Sequence, residues 1–420
     1  MKRTARNRLY ALASACVLSV MATVAWSQTL TWIVEAPYWA FEYGISGRDV
    51  SADGRVVVGF IDYLYEGSYG TTLQDAYAYR WTADSGAQSL NTLPGYVYSY
   101  AYGVSADGSV VVGWAEDAAN QSRAFRWTQA TGMQDLGTLG GYSSMAFGVS
   151  ADGSVVVGRA YNAAGQWRAF RWTQATGMQD LGTLPGRSYS MARGVSADGS
   201  VVVGSAYNAV GQWRAFRWTQ ATGMQDLGTL GGAESSARAI SGDGSVVVGI
   251  SGDRVFRWTA TAGMQDIGRP SGYNSVSVED VSADGNIVVG WVTNDWPYAQ
   301  RAVRWTASGG WEDLNVTYAR LLTNGSILLS AIAISPDGRY IVGEGYDASD
   351  WHNSVKIYLL DTGFPRRGDV DRNGCVDDAD LLTVLFVFGE RGYRNEDLNW
   401  DGTIDDADLL EVLFNFGSGC

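Results

Sequence analysis

Short stretches of alternating apolar and polar residues, each interrupted by an Asp-Gly pair, recur along most of the chain. In GVSADGSVVVG, which begins at Gly103, Gly148 and Gly194, an apolar strand end precedes the Asp-Gly pair and a β-branched strand follows it. Asp-Gly is a strong signal for a hairpin turn, because the glycine supplies the positive φ that the turn needs. The pattern therefore predicts a β-hairpin in each copy.

Related segments bring the number of copies to seven, and their turn aspartates are spaced 41 to 54 residues apart: Asp53, Asp107, Asp152, Asp198, Asp243, Asp284 and Asp337. After each hairpin a third strand is predicted, AFRWT in three copies, and TGMQDLGTL then gives a turn and a fourth strand. Four strands in about 45 residues form the unit of a propeller blade. The sequence predicts an all-β, seven-bladed β-propeller of four-stranded blades over residues 28–362. An open solenoid is the alternative, and it would need capping units.

The two ends of the array are irregular in a complementary way. The seventh copy has predicted strands at 331–335, 340–343 and 355–360 but no fourth strand, because the composition changes after it. An extended segment at 29–34, TLTWIV, precedes the first copy and belongs to no blade. If this segment supplies the missing strand, the ring closes and no sheet edge stays exposed.

The segments AFRWT, GMQDLGTL and G-VSADG-VVVG resemble the extracellular repeats of the HAF family, and AISPDGRYIVG is similar to the hairpin of TolB-like and WD-repeat propellers. The resemblance covers roughly residues 28–362. It implies a propeller and, for the HAF family, no settled activity.

The amino terminus reads as an export signal over residues 1–27. Four basic residues precede an apolar stretch at 9–26, and Ala25 and Ser27 are the small residues that a signal peptidase selects. A membrane anchor and lipidation at Cys16 are the alternatives. Cleavage would leave Cys375 and Cys420, which we expect to form a disulfide in a secreted, extracellular or cell-surface protein.

Charge and composition narrow the classes of function. With 30 basic against 44 acidic residues the net charge is -14, which argues against nucleic acid as a partner. The one histidine, His352, makes a His-based catalytic or zinc site improbable.

Two features repeat in nearly every blade and are interpreted as structural. The tryptophans of the third strands, such as Trp127 and Trp172, are predicted to pack between blades rather than to stack on sugars. Arginines and aspartates nine residues apart are predicted to form ion pairs within blades, at Arg126–Asp135, Arg171–Asp180, Arg217–Asp226, Arg257–Asp266 and Arg304–Asp313.

The loops that differ between copies are the better candidates for ligand binding. Those between second and third strands, and between fourth and first, share one face, and near the first two copies they carry aromatic residues: Tyr38, Trp39, Tyr63, Tyr65, Tyr96 and Tyr98. The hypothesis is a face that stacks a polysaccharide or an extended peptide. The alternative is that these residues simply cover the core. Nearby carboxylates (Glu35, Glu42, Asp62, Glu66, Asp75) leave a glycosidase or lyase open.

The last 53 residues form a different, acidic module after a linker at 363–367. Two segments offset by 28 residues carry oxygen side chains at loop positions 1, 3, 5, 9 and 12, with glycine at position 6 and a backbone carbonyl at position 7. This is the spacing of an EF-hand calcium loop. It predicts two Ca²⁺ ions held by Asp369, Asp371, Asn373, Cys375, Asp377 and Asp380, and by Asp397, Asn399, Asp401, Thr403, Asp405 and Asp408.

Each loop leads into a predicted helix, at 379–388 and 407–416, with no helical pattern before it. Such a duplicated loop-helix unit at residues 368–420 resembles the dockerin module, which implies a cohesin-like or cell-surface protein as partner. Positions 10 and 11 read Asp-Ala in both copies, where many dockerins carry hydroxyl residues. The apolar helices have more apolar surface than so small a module can bury, so part of it is expected to pack on a partner or on the other helix.

Together these patterns favour a secreted, non-enzymatic binding or scaffold protein that docks through a calcium-binding module. A component of extracellular polysaccharide degradation, either a glycoside hydrolase or a lyase, is the alternative.

Overall fold

The computed structural model describes residues 28–35, 42–66, 72–186, 188–295, 299–322, 324–350 and 354–420. Within these ranges the propeller consists of seven antiparallel four-stranded sheets, arranged in a ring around a central channel. This confirms the predicted seven-bladed fold. The predicted export signal lies outside the described residues.

Six blades are built from four consecutive strands. They are β2 (Glu42–Val50), β3 (Val57–Glu66), β4 (Thr72–Thr82) and β5 (Gly86–Ser89); β6 (Tyr98–Val104), β7 (Val110–Glu116), β8 (Ser122–Thr128) and β9 (Gly132–Asp135); β10 (Gly140–Val149), β11 (Val155–Asn162), β12 (Trp167–Thr173) and β13 (Gly177–Asp180); β14 (Ser190–Val195), β15 (Val201–Tyr207), β16 (Trp213–Thr219) and β17 (Gly223–Asp226); β18 (Ser235–Ile240), β19 (Val246–Ser251), β20 (Arg254–Thr259) and β21 (Gly263–Asp266); β22 (Ser275–Val281), β23 (Ile287–Asn294), β24 (Ala299–Thr306) and β25 (Gly310–Asp313).

The seventh blade joins the two ends of the propeller. Strand β1 (Thr29–Glu35) pairs with β28 (Val355–Asp361), which pairs with β27 (Tyr340–Tyr346) and then β26 (Ile327–Ile334). Trp32 lies opposite Tyr358, and Val34 lies opposite Ile357. The segment before the first copy therefore supplies the fourth strand, as predicted, and pairs the edge that β28 would otherwise expose.

Helices are few and short among the described residues. They are α1 (Leu314–Thr317), α2 (Asp378–Phe386) and α3 (Asp406–Asn415), with one 3₁₀ turn at Ala319–Leu321. In these ranges no helix combines the length and apolarity needed to cross a membrane.

The hydrophobic core lies between blades. Each cluster joins valines of one second strand to residues of the next blade; Val155 and Val157, for example, pack with Phe216 and Trp218. Other tryptophans of the third strands, such as Trp81, Trp127 and Trp172, lie in equivalent clusters. Packing between blades is therefore their structural role.

The predicted ion pairs at a spacing of nine are wrong. In the hairpin β8–β9 Arg126 lies opposite Gln134, whereas Asp135 lies opposite Phe125 and so belongs to the other face of the sheet. Asp135 instead pairs with Arg123, three residues before Arg126, at 3.7 Å.

Three other blades show the same shift, with pairs Arg168–Asp180, Arg214–Asp226 and Arg254–Asp266, whereas Arg304 pairs with Glu312, the residue opposite it. The repeated arginine contacts the next blade instead: Arg126 Nε donates to the carbonyl of Gly153, and Arg171 Nε to that of Gly199, both at 3.0 Å. It thus braces the neighbouring Asp-Gly turn.

A chain of backbone hydrogen bonds links the Asp-Gly turns around one end of the channel. Ala52 N donates to the Ala106 carbonyl, and the pattern continues from turn to turn until Ala283 N donates to the Pro336 carbonyl. Pro336 has no N–H, so it cannot donate onward to the first blade. The ring of hydrogen bonds is therefore open only between the seventh and first blades.

Every innermost strand carries a β-bulge at the same place, and its unpaired residue belongs to the channel wall: Arg48, Tyr102, Phe147, Arg193, Arg238, Glu279 and Ile332. Bulges of this kind redirect a side chain without ending the strand. Residue type varies more at this position than at the preceding one, which is alanine in five of the seven blades.

Replacing Gly158 by alanine is expected to destabilise the propeller by about 1–3 kcal/mol, as overpacked sites do. A Cβ there would lie 2.0 Å from the Met145 carbonyl oxygen, a backbone atom of the paired strand that cannot move aside. Gly232→Ala is the control, because a Cβ there meets no atom within 4 Å. Chemical denaturation measures both, and equal midpoints for the two variants would contradict the packing argument.

Candidate calcium site and docking face

The C-terminal module is built from two similar halves around a small core. Val376 and Ile404, at position 8 of the two loops, are fully buried together with Val384 and Val412 of the helices. Each exchanges backbone hydrogen bonds with the segment after the other half's helix: Ile404 with Gly389 and Glu390, and Val376 with Gly417 and Ser418. A disulfide joins Cys375 to Cys420, with Cα atoms 4.7 Å apart.

The first loop brings the carboxylate oxygens of three aspartates close together. One oxygen each of Asp369, Asp371 and Asp380 lie within 4.8 Å of one another. Oδ1 of Asp369 is buried and has no hydrogen-bond partner. Burial raises the pKa of Asp369, and the nearby carboxylates of Asp380 and Asp371 raise it further. A cation would satisfy both the orphaned oxygen and the crowded charge.

The second loop has the same character. Asp397 and Asp408 are fully buried. Burial raises the pKa of Asp397 to about 7, and the neighbouring carboxylates of Asp408 and Asp401 add to the effect. Two of its backbone donors, the N–H groups of Asp401 and Gly402, lie at 3.1 and 2.9 Å from Asp397 oxygens. They offset only part of the repulsion.

The local geometry of each loop follows from its sequence. Gly374 and Gly402 at position 6 adopt φ of 92° and 87°, a conformation that favours glycine. The carboxylates at positions 9 and 12 form a capping box with the backbone at the start of each helix. The side chain at position 12 is thereby fixed beside the loop.

The donor set fits a hard cation. The same two loops contain the remaining predicted side-chain ligands, Asn373, Asp377, Asn399 and Asp405. At position 7 of each loop the predicted ligand is the backbone carbonyl of Cys375 or Thr403. Oxygen donors in loops of this spacing are the ligands that Ca²⁺ takes. The Cys375 sulfur itself is committed to the disulfide.

Both helices of the module present apolar side chains to solvent at matching positions. Phe386 and Phe414 are 82% and 81% exposed. Three further pairs, also offset by 28 residues, are nearly half exposed: Leu382 and Leu410, Leu385 and Leu413, Phe388 and Phe416. We call these eight residues the docking face. So much exposed apolar surface on a small module is typical of an interaction site.

The two loops of the module cover the Asp-Gly end of the channel. Arg372, at position 4 of the first loop, forms an ion pair with Asp284 at 2.5 Å. Trp400, at position 4 of the second loop, is buried over Gly242 and Ala283. Burial opposes the charge of Asp284, but Arg372 and the hydroxyl of Ser282 outweigh it and lower the pKa of that carboxyl.

Sequence reasoning missed Arg372 and Trp400 as contact residues. Both lie between ligand positions of the loops and both adopt a positive φ, 61° and 58°. Their only signal in the sequence is a large side chain at the same loop position in both halves.

The described residues include only part of the predicted aromatic face. Tyr38 and Trp39 lie outside the described residues. Tyr63 and Tyr65 belong to strand β3, which extends to Glu66 and leaves less loop than predicted. Tyr96 packs against the core between the first two blades, and Tyr98 begins strand β6. The aromatic face stays a prediction.

No known family model matches the chain, and no curated protein matches it. Among solved structures, it is similar to a putative TolB from Agrobacterium tumefaciens at 15% identity, over 73% of this chain and 97% of that one, with a TM-score of 0.43. It is also similar to virginiamycin B lyase from Staphylococcus aureus at 15% identity, over 80% and 99% of the two chains, with a TM-score of 0.46.

Proposed function

We propose that this is an exported, non-enzymatic binding protein whose C-terminal module binds two Ca²⁺ ions and docks onto a partner protein. The observation that carries the proposal is the duplication. Two loops with matching oxygen positions lead into two helices with matching exposed faces, in one module.

In this proposal each ion is held by the oxygens at loop positions 1, 3, 5, 7, 9 and 12. Bound calcium supplies positive charge to a cluster of buried carboxylates. Asp380 and Asp408 then hold the ion and the helix start at once, because their oxygens already accept backbone N–H groups of the loop. Ion binding would thereby fix the direction of each helix.

The partner is a protein with an apolar groove, of the cohesin-like or cell-surface class that a dockerin-like module implies. The two most exposed phenylalanines of the face, Phe386 and Phe414, are the expected anchors, since large aromatic side chains dominate protein interfaces. The propeller would then be displayed at a surface or in a complex, where it is free to bind a polysaccharide or peptide.

Replacing Phe414 by serine is expected to weaken binding to the partner roughly 30-fold, which corresponds to the ~2 kcal/mol of an interface anchor. The measurement is binding of the mature full-length chain to a panel of immobilised cohesin domains, with calcium or with chelator. Binding should require calcium.

The control is Val210→Ser, which removes an exposed apolar side chain from the propeller instead. If Phe414→Ser binds as tightly as the unmodified chain, the docking face is not the interface. If the chain binds calcium but binds none of the cohesin domains, the predicted cohesin partner is wrong and the proposed calcium sites are unaffected.

A further inference from the structure

The channel mouth on the face away from the C-terminal module is rich in arginine. Arg48, Arg193 and Arg238 come from the bulges of three innermost strands, and Arg159 comes from strand β11. They line a cavity of about 460 Å³. In a chain of net charge -14 such a concentration of positive charge is unexpected.

These four arginines outnumber the two carboxylates that act on them electrostatically, Glu279 on Arg193 and Glu344 on Arg48. None of them takes part in an ion pair within the described part of the chain, and the Nε of each is buried without a hydrogen-bond partner. Glu279, the acid of the same cavity, accepts hydrogen bonds from Ser277 and Trp291 instead. Burial and then the neighbouring Arg238 lower the pKa of Arg193 to about 10. The cavity therefore stores repulsion that an anion would relieve.

Aromatic rings hold the guanidinium groups in place. Arg48 lies over the ring of Tyr102 at 4.9 Å, and Arg159 over that of Trp167 at 4.3 Å. Tyr102 also stacks on Trp114 with centroids 4.3 Å apart. Cation–π contacts orient an arginine without using its N–H donors, and the half-buried rings of Tyr102 and Trp114 add an aromatic part to the cavity wall.

The channel is blocked below the arginine-lined mouth. Below the arginines lie Asp49 and Asp280, each of whose carboxylates accepts two backbone N–H groups. Trp400 covers the far end. An anion that enters the mouth therefore meets acidic groups and then a plug, so the mouth is a binding site rather than a passage.

We propose that the channel mouth binds an acidic saccharide, whose carboxylate or sulfate lies among Arg48, Arg159, Arg193 and Arg238 and whose ring lies against Tyr102 and Trp114. The cavity volume matches one or two sugar units, within the range of small-molecule sites. This site is separate from the docking face and does not depend on the calcium assignment.

The test is titration calorimetry of the mature full-length chain in calcium buffer with three probes: trigalacturonate, a sulfated heparin disaccharide and neutral maltotriose. We expect at least one acidic probe to bind at least 10-fold more tightly than maltotriose and to weaken as salt is raised. The double variant Arg193→Gln/Arg238→Gln should lose at least 10-fold in affinity, because charge-assisted hydrogen bonds are lost. The two acidic probes distinguish a carboxylate from a sulfate.

The control is Arg254→Gln. Arg254 is the exposed first residue of strand β20 and pairs with Asp266 rather than lining the cavity. The melting temperature without ligand shows whether the double variant is folded. It should equal or exceed that of the unmodified chain, because the substitutions remove like charges that repel one another. Equal affinity for neutral and acidic probes, binding of free sulfate alone, or unchanged binding in the double variant would each overturn the proposal.

Discussion

Removing calcium from the mature chain is expected to unfold the C-terminal module while the propeller stays folded. The module has only a small core around Val376, Val384, Ile404 and Val412, and its buried carboxylates repel one another without a cation. Each bound ion would stabilise the module by about 2.7 kcal/mol when free calcium is about one hundred times the dissociation constant. Two sites give roughly twice that.

Scanning calorimetry measures this effect. With calcium we expect the module to melt at a higher temperature than with chelator, and the propeller transition to stay in place. Asp371→Asn and Asp401→Asn should each reduce the shift, because each removes one ligand charge from one loop. Asp378→Asn is the control, since that exposed carboxylate lies outside the ligand set. A melting profile that is identical with calcium and chelator would contradict the prediction.

Replacing Trp400 by alanine is expected to release the module from the propeller. The indole is buried against the turns of the fifth and sixth blades, and truncating a buried tryptophan costs about 3–5 kcal/mol. The ion pair between Arg372 and Asp284 and the hydrogen bond from Arg367 to the Asp53 carbonyl would remain. Because Trp400 and Arg372 belong to the loops proposed to bind calcium, chelator should have the same effect in the unmodified chain.

Hydrogen exchange detected by mass spectrometry reads out this release. Peptides over residues 239–245 and 280–286 should exchange faster in Trp400→Ala and in chelator. Phe414→Ala serves as control, because it removes an aromatic ring from the exposed side of the same module. Unchanged protection of both peptides in Trp400→Ala would show that the indole does not hold the module in place.

The fold could be predicted because the sequence repeats its own signals. An Asp-Gly turn in each copy fixed seven hairpins, and the missing strand after residue 360 had one available partner at 29–34. The pairing of Trp32 with Tyr358 follows from that count. Helices α2 and α3 were predicted to within two residues, since the ligand spacing sets where each begins.

The prediction of ion pairs at a spacing of nine was wrong because of the strand register. A spacing of nine was taken to place Arg126 and Asp135 together, but the hairpin sets Arg126 opposite Gln134. Because side chains alternate across a strand, a shift of one residue moves the partner to the other face. Arg123 is on the correct face, and its recurrence in the blades was an available clue.

The two acidic loops with their glycine turns could be predicted from spacing, whereas the contacts of the module with the propeller could not. Spacing identifies a loop because its ligands are close in sequence. The contact between Trp400 and Gly242 joins segments far apart in the chain and occurs once, so no repetition reveals it.

The arginine-rich mouth was missed because variation was sought in the loops. The informative position lies inside the repeated strand, where AYGVS, AFGVS and ARGVS differ in one residue. That residue is the bulge that faces the channel. In a repeat protein, a variable position within a constant strand is thus as useful a signal as a variable loop.

Calorimetric titration of the mature chain with calcium tests the central claim most directly. We expect two ions per unmodified chain. We expect one ion in Asp371→Asn or in Asp401→Asn, and none in the double variant. A chain that takes up no calcium, or a double variant that still takes up two ions, would contradict the claim.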